Sequence, residues 1–130
     1  MNLLMSYFKN PRHRGLMEQF SSEATRCNRT CGDRCHMRLV FSPLSVSYEA
    51  EGCSLHLAST EIAAEMCSGL ERNEARQLVS KVILNLEQNV GVFDDPRLLA
   101  LCEIKSHPVR RKCATLAWQT LFEALDSACE

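Results

Sequence analysis

Three of the eight cysteines in this chain stand apart from the other five by their surroundings, and each sits where a thiol can ionise or hold a metal. Cys31 lies in NRTCGDRC, residues 28–35, two positions before Asp33 with Gly32 as the only spacer. In an extended stretch, residues i and i+2 point to the same side, so this thiol and this carboxylate can aim at one point. Gly32 allows the tight backbone or close ligand approach that such a convergence needs. Cys53 follows Gly52 in EGCSLHL, at a strand-to-helix junction. A helix N-terminus is the positive end of its dipole and favours a thiolate. Cys113 follows Arg110, Arg111 and Lys112, cations that also favour ionisation. Three thiolates and one carboxylate make a tetrahedral donor set for zinc. The spacing contains none of the paired C-x-x-C knuckles of a zinc ribbon, and Asp33 taken alone reads equally well as a turn or capping residue.

The remaining thiols read as small hydrophobes. Cys27, Cys31 and Cys35 form C-x3-C-x3-C, but spacings of four do not converge in a strand–turn–strand as they do on a helix, so packing is expected for Cys27 and Cys35. Cys67 and Cys102 fall in helical stretches and are expected to be buried; Cys129, near the end of the chain, is expected to be idle. His13, His36, His56 and His107 show no H-E-x-x-H pattern. His36 reads as a surface residue, His107 as the best alternative ligand near Cys113, and Trp118 as core.

The elements that must position these groups follow from periodicity. PLSVSYEAEGC alternates, with Leu44, Val46, Tyr48 and Ala50 on one side and Ser45, Ser47 and Glu49 on the other, which is a half-buried strand. CHMRLVF reads as a second strand and SSEATRCN as a weaker third. A short helix before Pro11 precedes them. The rest is helical. Leu55, Ala58, Ile62 and Met66 recur at helical spacing in one segment, and Leu78, Val79, Val82, Ile83 and Leu86 in the next. A loop and short helix around PRLLALC lead to a last helix with Ala114, Ala117, Leu121, Leu125 and Ala128 on one face. Strands followed by helices predict an α+β fold, with four to five helices packed on one side of a small antiparallel sheet in a single domain spanning 1–130.

Composition narrows the function classes. A net charge of −1 gives no global pull toward nucleic acid or a membrane, and no apolar run is long enough to span a bilayer. Eight cysteines suit a secreted disulfide scaffold, but the apolar N-terminus lacks a basic n-region and the long helical stretches need no staples. A reduced, cytoplasmic protein is expected.

The segments NRTCGD, EGCSLHLAS and RRKCATLAW, in that order, resemble the three cysteine motifs of the IscU/NifU/SufU family of iron–sulfur cluster assembly proteins. YFKNPRHRG resembles that family's N-terminal segment, and the resemblance runs from Tyr7 to Leu125. It implies a three-stranded antiparallel sheet packed with helices. It also implies that Cys31, Cys53 and Cys113 are thiol ligands and Asp33 the fourth ligand. Three features resemble the SufU branch. Lys112 stands where the IscU branch carries a histidine. SHPVRRKC keeps only Pro-Val and a basic residue of the IscU chaperone-binding motif. A long interval that includes EQNVGVFDDPRLLAL separates the second and third cysteines. Arg29 departs from the family's usual proline. The branch implies a zinc-dependent sulfur acceptor that takes persulfide sulfur from a PLP-dependent cysteine desulfurase and passes it to downstream Suf-type assembly proteins. Cys31, on a loop that can move, is the expected nucleophile, with Cys53 and Cys113 anchored to helices, and Arg110 is expected to steer the anionic persulfide or the partner surface. The alternative is an IscU-type scaffold holding a [2Fe–2S] cluster on the same residues.

Overall fold

The structure is a computed structural model and describes residues 2–41, 43–88, 93–103 and 107–127. Five helices and three strands follow in the order α1 (Asn2–Lys9), β1 (Ser22–Asn28), β2 (Asp33–Val40), β3 (Ser45–Glu51), α2 (Ser54–Cys67), α3 (Arg72–Gln88), α4 (Pro96–Cys102) and α5 (Pro108–Ser127). The strands form one antiparallel meander, β1-β2-β3, as the alternating patterns predict. Its inner face carries Cys35, Met37 and Leu39 of β2 and Val46, Tyr48 and Ala50 of β3, all buried. Helix α5 covers β1 and β2, α2 covers β3, and the two helices pack on each other. Trp118 is fully buried at that seam, and its ring N–H donates to Ser59 Oγ at 3.1 Å. Ser59 in turn donates to the Ala114 carbonyl at 2.6 Å, so no polar atom of this contact is left bare. Among the described residues, no helix is long and apolar enough to cross a membrane.

Register places the site. Asn28 pairs with Asp33, so Cys31 lies in the turn between β1 and β2. Arg34 pairs with Glu51, which sets Asp33 beside Gly52 and Cys53 at the exit of β3. The two sheet edges differ. The segment after α1 runs beside β3, with the Gly15 N–H donating to the Tyr48 carbonyl at 2.7 Å and the Tyr48 N–H to the His13 carbonyl at 3.3 Å. The outer edge of β1 has no backbone partner among the described residues.

Two cysteine expectations need correction. Cys27 is exposed rather than packed: with Ser22 and Ala24 turned inward, strand parity sends Cys27 to the outer side. Cys102 is only half-buried, and its thiol donates to Asn85 Oδ1 at 2.8 Å. Cys35 and Cys67 are fully buried as expected, while Ala128 and Cys129 lie outside the described residues.

Arg97 ties α4 to α2. It bonds Asp95 Oδ2 at 2.8 Å and Glu65 Oε2 at 2.7 Å. Hydrogen bonding from Arg97 lowers the Asp95 pKa. Burial pushes Glu65 up, but hydrogen bonds from Tyr7 and Arg97 outweigh it and leave Glu65 below its usual range. Depressed carboxylate pKa values add stability that is present above the unfolded-state values and lost as pH falls through the folded ones. Arg97→Gln is therefore expected to lower Tm most at neutral pH. Melts from about pH 7 down to about pH 3 should show the gap to wild type closing below roughly pH 4; a gap constant with pH would assign the effect to packing.

Candidate metal centre

Four chain segments meet at one corner of the sheet. The β1–β2 turn supplies Cys31, the first residue of β2 supplies Asp33, the β3–α2 junction supplies Cys53, and the second turn of α5 supplies Cys113. The Cys31 thiol lies 3.1 Å from Asp33 Oδ2 and 3.9 Å from the Cys113 sulfur; the Cys31 and Asp33 side chains converge as expected, but through a turn with Gly32 at φ +77° rather than through an extended stretch. One donor atom from each of Cys31, Asp33 and Cys113 lies within 4.8 Å of the others. Cys53 enters through its backbone, which donates N–H to Asp33 Oδ1 at 3.1 Å. Its sulfur caps α2, accepting the His56 N–H at 3.5 Å, and neighbours the Cys113 thiol. Cys53 sits at a helix N-terminus as expected, and its thiol stands just outside the tight triad of the other three donors.

The electrostatics reverse one expectation. The cations before Cys113 do not set its ionisation. Cys113 is 5% exposed, and burial first, then hydrogen bonds with Asp33 and Cys53, push its pKa well above the ordinary thiol value. Burial, then the hydrogen bond to Asp33, also raises Cys31. Between these two thiols Asp33 is 1% exposed and makes no ion pair among the described residues. Burying a carboxylate without a cation is costly. A thiophilic divalent cation bound by Cys31, Asp33, Cys53 and Cys113 would replace thiol protons and neutralise Asp33, so the donor set fits zinc in type and number.

Gly52 makes this corner possible, and the sequence reading noted it only as the neighbour of Cys53. Its φ is +141°, and a Cβ there would lie 2.1 Å from Asp33 Oδ1 and 2.9 Å from its Cγ. Gly52→Ala is therefore expected to displace Asp33 and cut zinc affinity by at least about tenfold. Gly32→Ala, at φ +77° with nothing within 4 Å of the added atom, should cost only about 1 kcal/mol of backbone strain and keep the metal. Competition with a chromogenic chelator measures both; equal affinities would show that Asp33 can swing aside freely.

The histidines stay out of the cluster. His107 is exposed, and His36 pairs with Glu23 Oε1 at 2.8 Å on the outer face. His56, to which the sequence reading gave no role, is fully buried and bonds the Arg34 carbonyl at 2.9 Å. It fastens the first turn of α2 to the strand residue that follows Asp33. Arg110 is exposed near the start of α5.

Residues 2–127 match the NifU-like N-terminal domain family. The chain is 32% identical to the zinc-dependent sulfurtransferase SufU of Bacillus subtilis, over 92% of this chain and 84% of that protein. It is 26% identical to the iron–sulfur cluster assembly scaffold protein IscU of Streptococcus pyogenes, over 96% and 81% of the two chains. Among solved structures, a candidate iron–sulfur cluster assembly scaffold for the SUF system from Fervidobacterium islandicum superposes with a TM-score of 0.88 at 25% identity, covering 96% of this chain and 95% of that one. A NifU-like N-terminal protein from Brucella abortus shares the fold, with a TM-score of 0.84 at 16% identity over 98% and 92% of the chains.

Proposed function

The chain belongs to the NifU-like N-terminal domain family, and from that premise we propose that it serves iron–sulfur cluster assembly as a zinc-dependent sulfur acceptor in the cytoplasm. Its sulfur donor is a PLP-dependent cysteine desulfurase, and its products go to downstream Suf-type assembly proteins. The observation that carries this reading is the asymmetry of the thiols. Cys31 is exposed in a turn, whereas Cys113 is buried in α5 and Cys53 caps α2. Cys53 is exposed as well, so Cys31 differs from it in anchoring rather than in access: a thiol on a turn beside two thiols tied to helices suits an acceptor.

Asp33, Cys53 and Cys113 hold the metal together with Cys31. Zinc, when bound, lowers the pKa of the thiols that hold it. Cys31, as a thiolate, attacks the terminal sulfur of the desulfurase persulfide. A sulfur–sulfur bond forms on Cys31, the bond within the donor persulfide breaks, and the donor cysteine leaves as a thiolate. The exchange is redox-neutral. A recess of about 90 Å³ beside Cys31, lined by Asn28, Thr30, Pro108, Val109 and Lys112, gives the incoming sulfur room. Arg110 lies near the start of the same helix and steers the anionic persulfide or the partner surface.

The IscU relatives support a second reading, a [2Fe–2S] scaffold on the same donors, because thiolates bind iron as readily as zinc. Anaerobic purification with elemental analysis, followed by incubation with a cysteine desulfurase and free cysteine, separates the two. Colourless protein with one zinc per chain and a persulfide on the acceptor is expected. Brown protein with stoichiometric iron and no transferred sulfur would overturn the proposal in favour of the scaffold.

A further inference from the structure

We propose that the open edge of β1 and the facing side of α5 form a docking groove for an extended, acidic segment of a partner protein, with one end of the groove at Cys31. Most of the surface lies on β1 and α5, and only its Cys31 end adjoins the candidate metal centre; the inference does not depend on which metal the chain holds or whether Cys31 carries sulfur.

The shape of the groove argues for a strand-like occupant. A groove of about 460 Å³ has one wall made by Arg26, Cys27, Asn28 and Arg29. Three consecutive residues of β1 line it, with Arg29 of the following turn, whereas the face of a strand would contribute alternate residues, so this wall includes the strand's edge. On an edge strand, half of the backbone N–H and C=O groups point away from the sheet, and on β1 they meet no backbone partner among the described residues. The opposite wall is one face of α5, with Arg111, Lys112, Thr115, Leu116 and Gln119. The fold covers the β3 edge with residues 13–15, whereas among the described residues none pairs with this one. An added strand would satisfy those backbone groups.

Charge decides what kind of strand. Arg26 is engaged by Glu123 at 3.0 Å. Arg29, Arg111 and Lys112 make no ion pair among the described residues and face only Glu87, which Gln119 bonds at 2.9 Å. The groove is thus locally cationic on a chain whose net charge is −1. It is also continuous. The recess at Cys31 shares Asn28 and Lys112 with it and adds Pro108 and Val109, the latter 64% exposed. At the other end, a recess of about 380 Å³ shares Arg26 and Gln119 and reaches Phe122, Glu123 and Asp126, so the cationic stretch ends there and an acidic segment would lie toward the Cys31 end. An acidic peptide strand with an apolar residue at its leading end would match backbone, charge and the Val109 surface together. A nucleic acid would match the charge alone.

The probe is a fluorescein-labelled decapeptide of alternating Glu and Thr, added to the full chain. Three comparison ligands accompany it: the Glu-Pro analogue that cannot pair as a strand, the Lys-Thr analogue, and a twelve-residue oligothymidylate. Anisotropy is expected to show binding of the Glu-Thr peptide that weakens at least about tenfold in high salt and in R29E/R111E. Neutralisation in R29Q/K112Q should weaken it about threefold, with both variants keeping the wild-type circular dichroism spectrum. Amide exchange within residues 23–29 should slow on binding. No binding up to millimolar peptide, equal binding of any of the three comparison ligands, wild-type affinity in R29E/R111E, or protection confined to another element would each overturn the proposal.

Discussion

Replacing Cys31 with alanine is expected to lower sulfur acceptance at least about 100-fold while leaving the fold intact. The loss follows from removing the sulfur that sits on the β1–β2 turn; Cys53, though also exposed, caps α2, and Cys113 is buried in α5. The structural cost is limited to one thiol–carboxylate hydrogen bond of 3.1 Å and a weak thiol–thiol contact of 3.9 Å with Cys113. A single hydrogen bond contributes about 1 kcal/mol, so Tm should fall by no more than a few degrees. Asp33, Cys53 and Cys113 remain as donors, and part of the zinc affinity should persist. Cys113→Ala differs in kind, because it also empties a buried position on α5 and should lower Tm and zinc content together. The readout is the mass of the acceptor after exposure to a working desulfurase. Gain of one sulfur atom by Cys31→Ala would move the acceptor role to another thiol.

Glu61→Ala is expected to destabilise the protein by about 3 kcal/mol and lower Tm by roughly 10 °C. Glu61 is 1% exposed on the sheet-facing side of α2, where Oε1 accepts the Tyr48 hydroxyl at 2.8 Å and the His13 N–H at 3.0 Å. Its other oxygen meets the His13 ring. Deletion strands a buried tyrosine hydroxyl and releases the segment that covers β3, so each loss compounds the other. Glu61→Gln keeps an acceptor for the same donors and should cost only about 1 kcal/mol. Limited trypsin digestion adds a local readout, since Arg12 and Arg14 lie in the released segment. Because β3 leads directly into Gly52 and Cys53, the alanine variant should also bind zinc more weakly. Thermal melts within about 2 °C of wild type would mean that the segment is held by other contacts.

Much of the architecture was readable in advance because it rests on local periodicity. The alternation from Leu44 to Ala50 marked β3, and the stripe from Leu78 to Leu86 marked α3. Cys27 was misread because cysteine usually packs, while strand parity with Ala24 already placed it on the other side. The ionisation of Cys113 was misjudged for a different reason. Its cationic neighbours are visible in the sequence, but its depth is a property of how α5 lies on the sheet, and desolvation outweighs them. Gly52 and His56 escaped notice because their importance is to Asp33 and Arg34, which the β2–β3 register brings beside them.

Residue identities and the family resemblance together nominated three thiols and a carboxylate in motifs separated by long intervals, and placed Cys31 two positions from Asp33. Only the tertiary structure decided that Cys31, Asp33 and Cys113 meet beside Cys53, that Cys31 and Cys53 stay exposed while Cys113 is buried, and that the β1 edge has no backbone partner among the described residues. The physical reason is range. Side-chain direction within a strand or helix is set by neighbours a few positions away, whereas convergence, burial and edge coverage depend on register and on helix packing between segments distant along the chain.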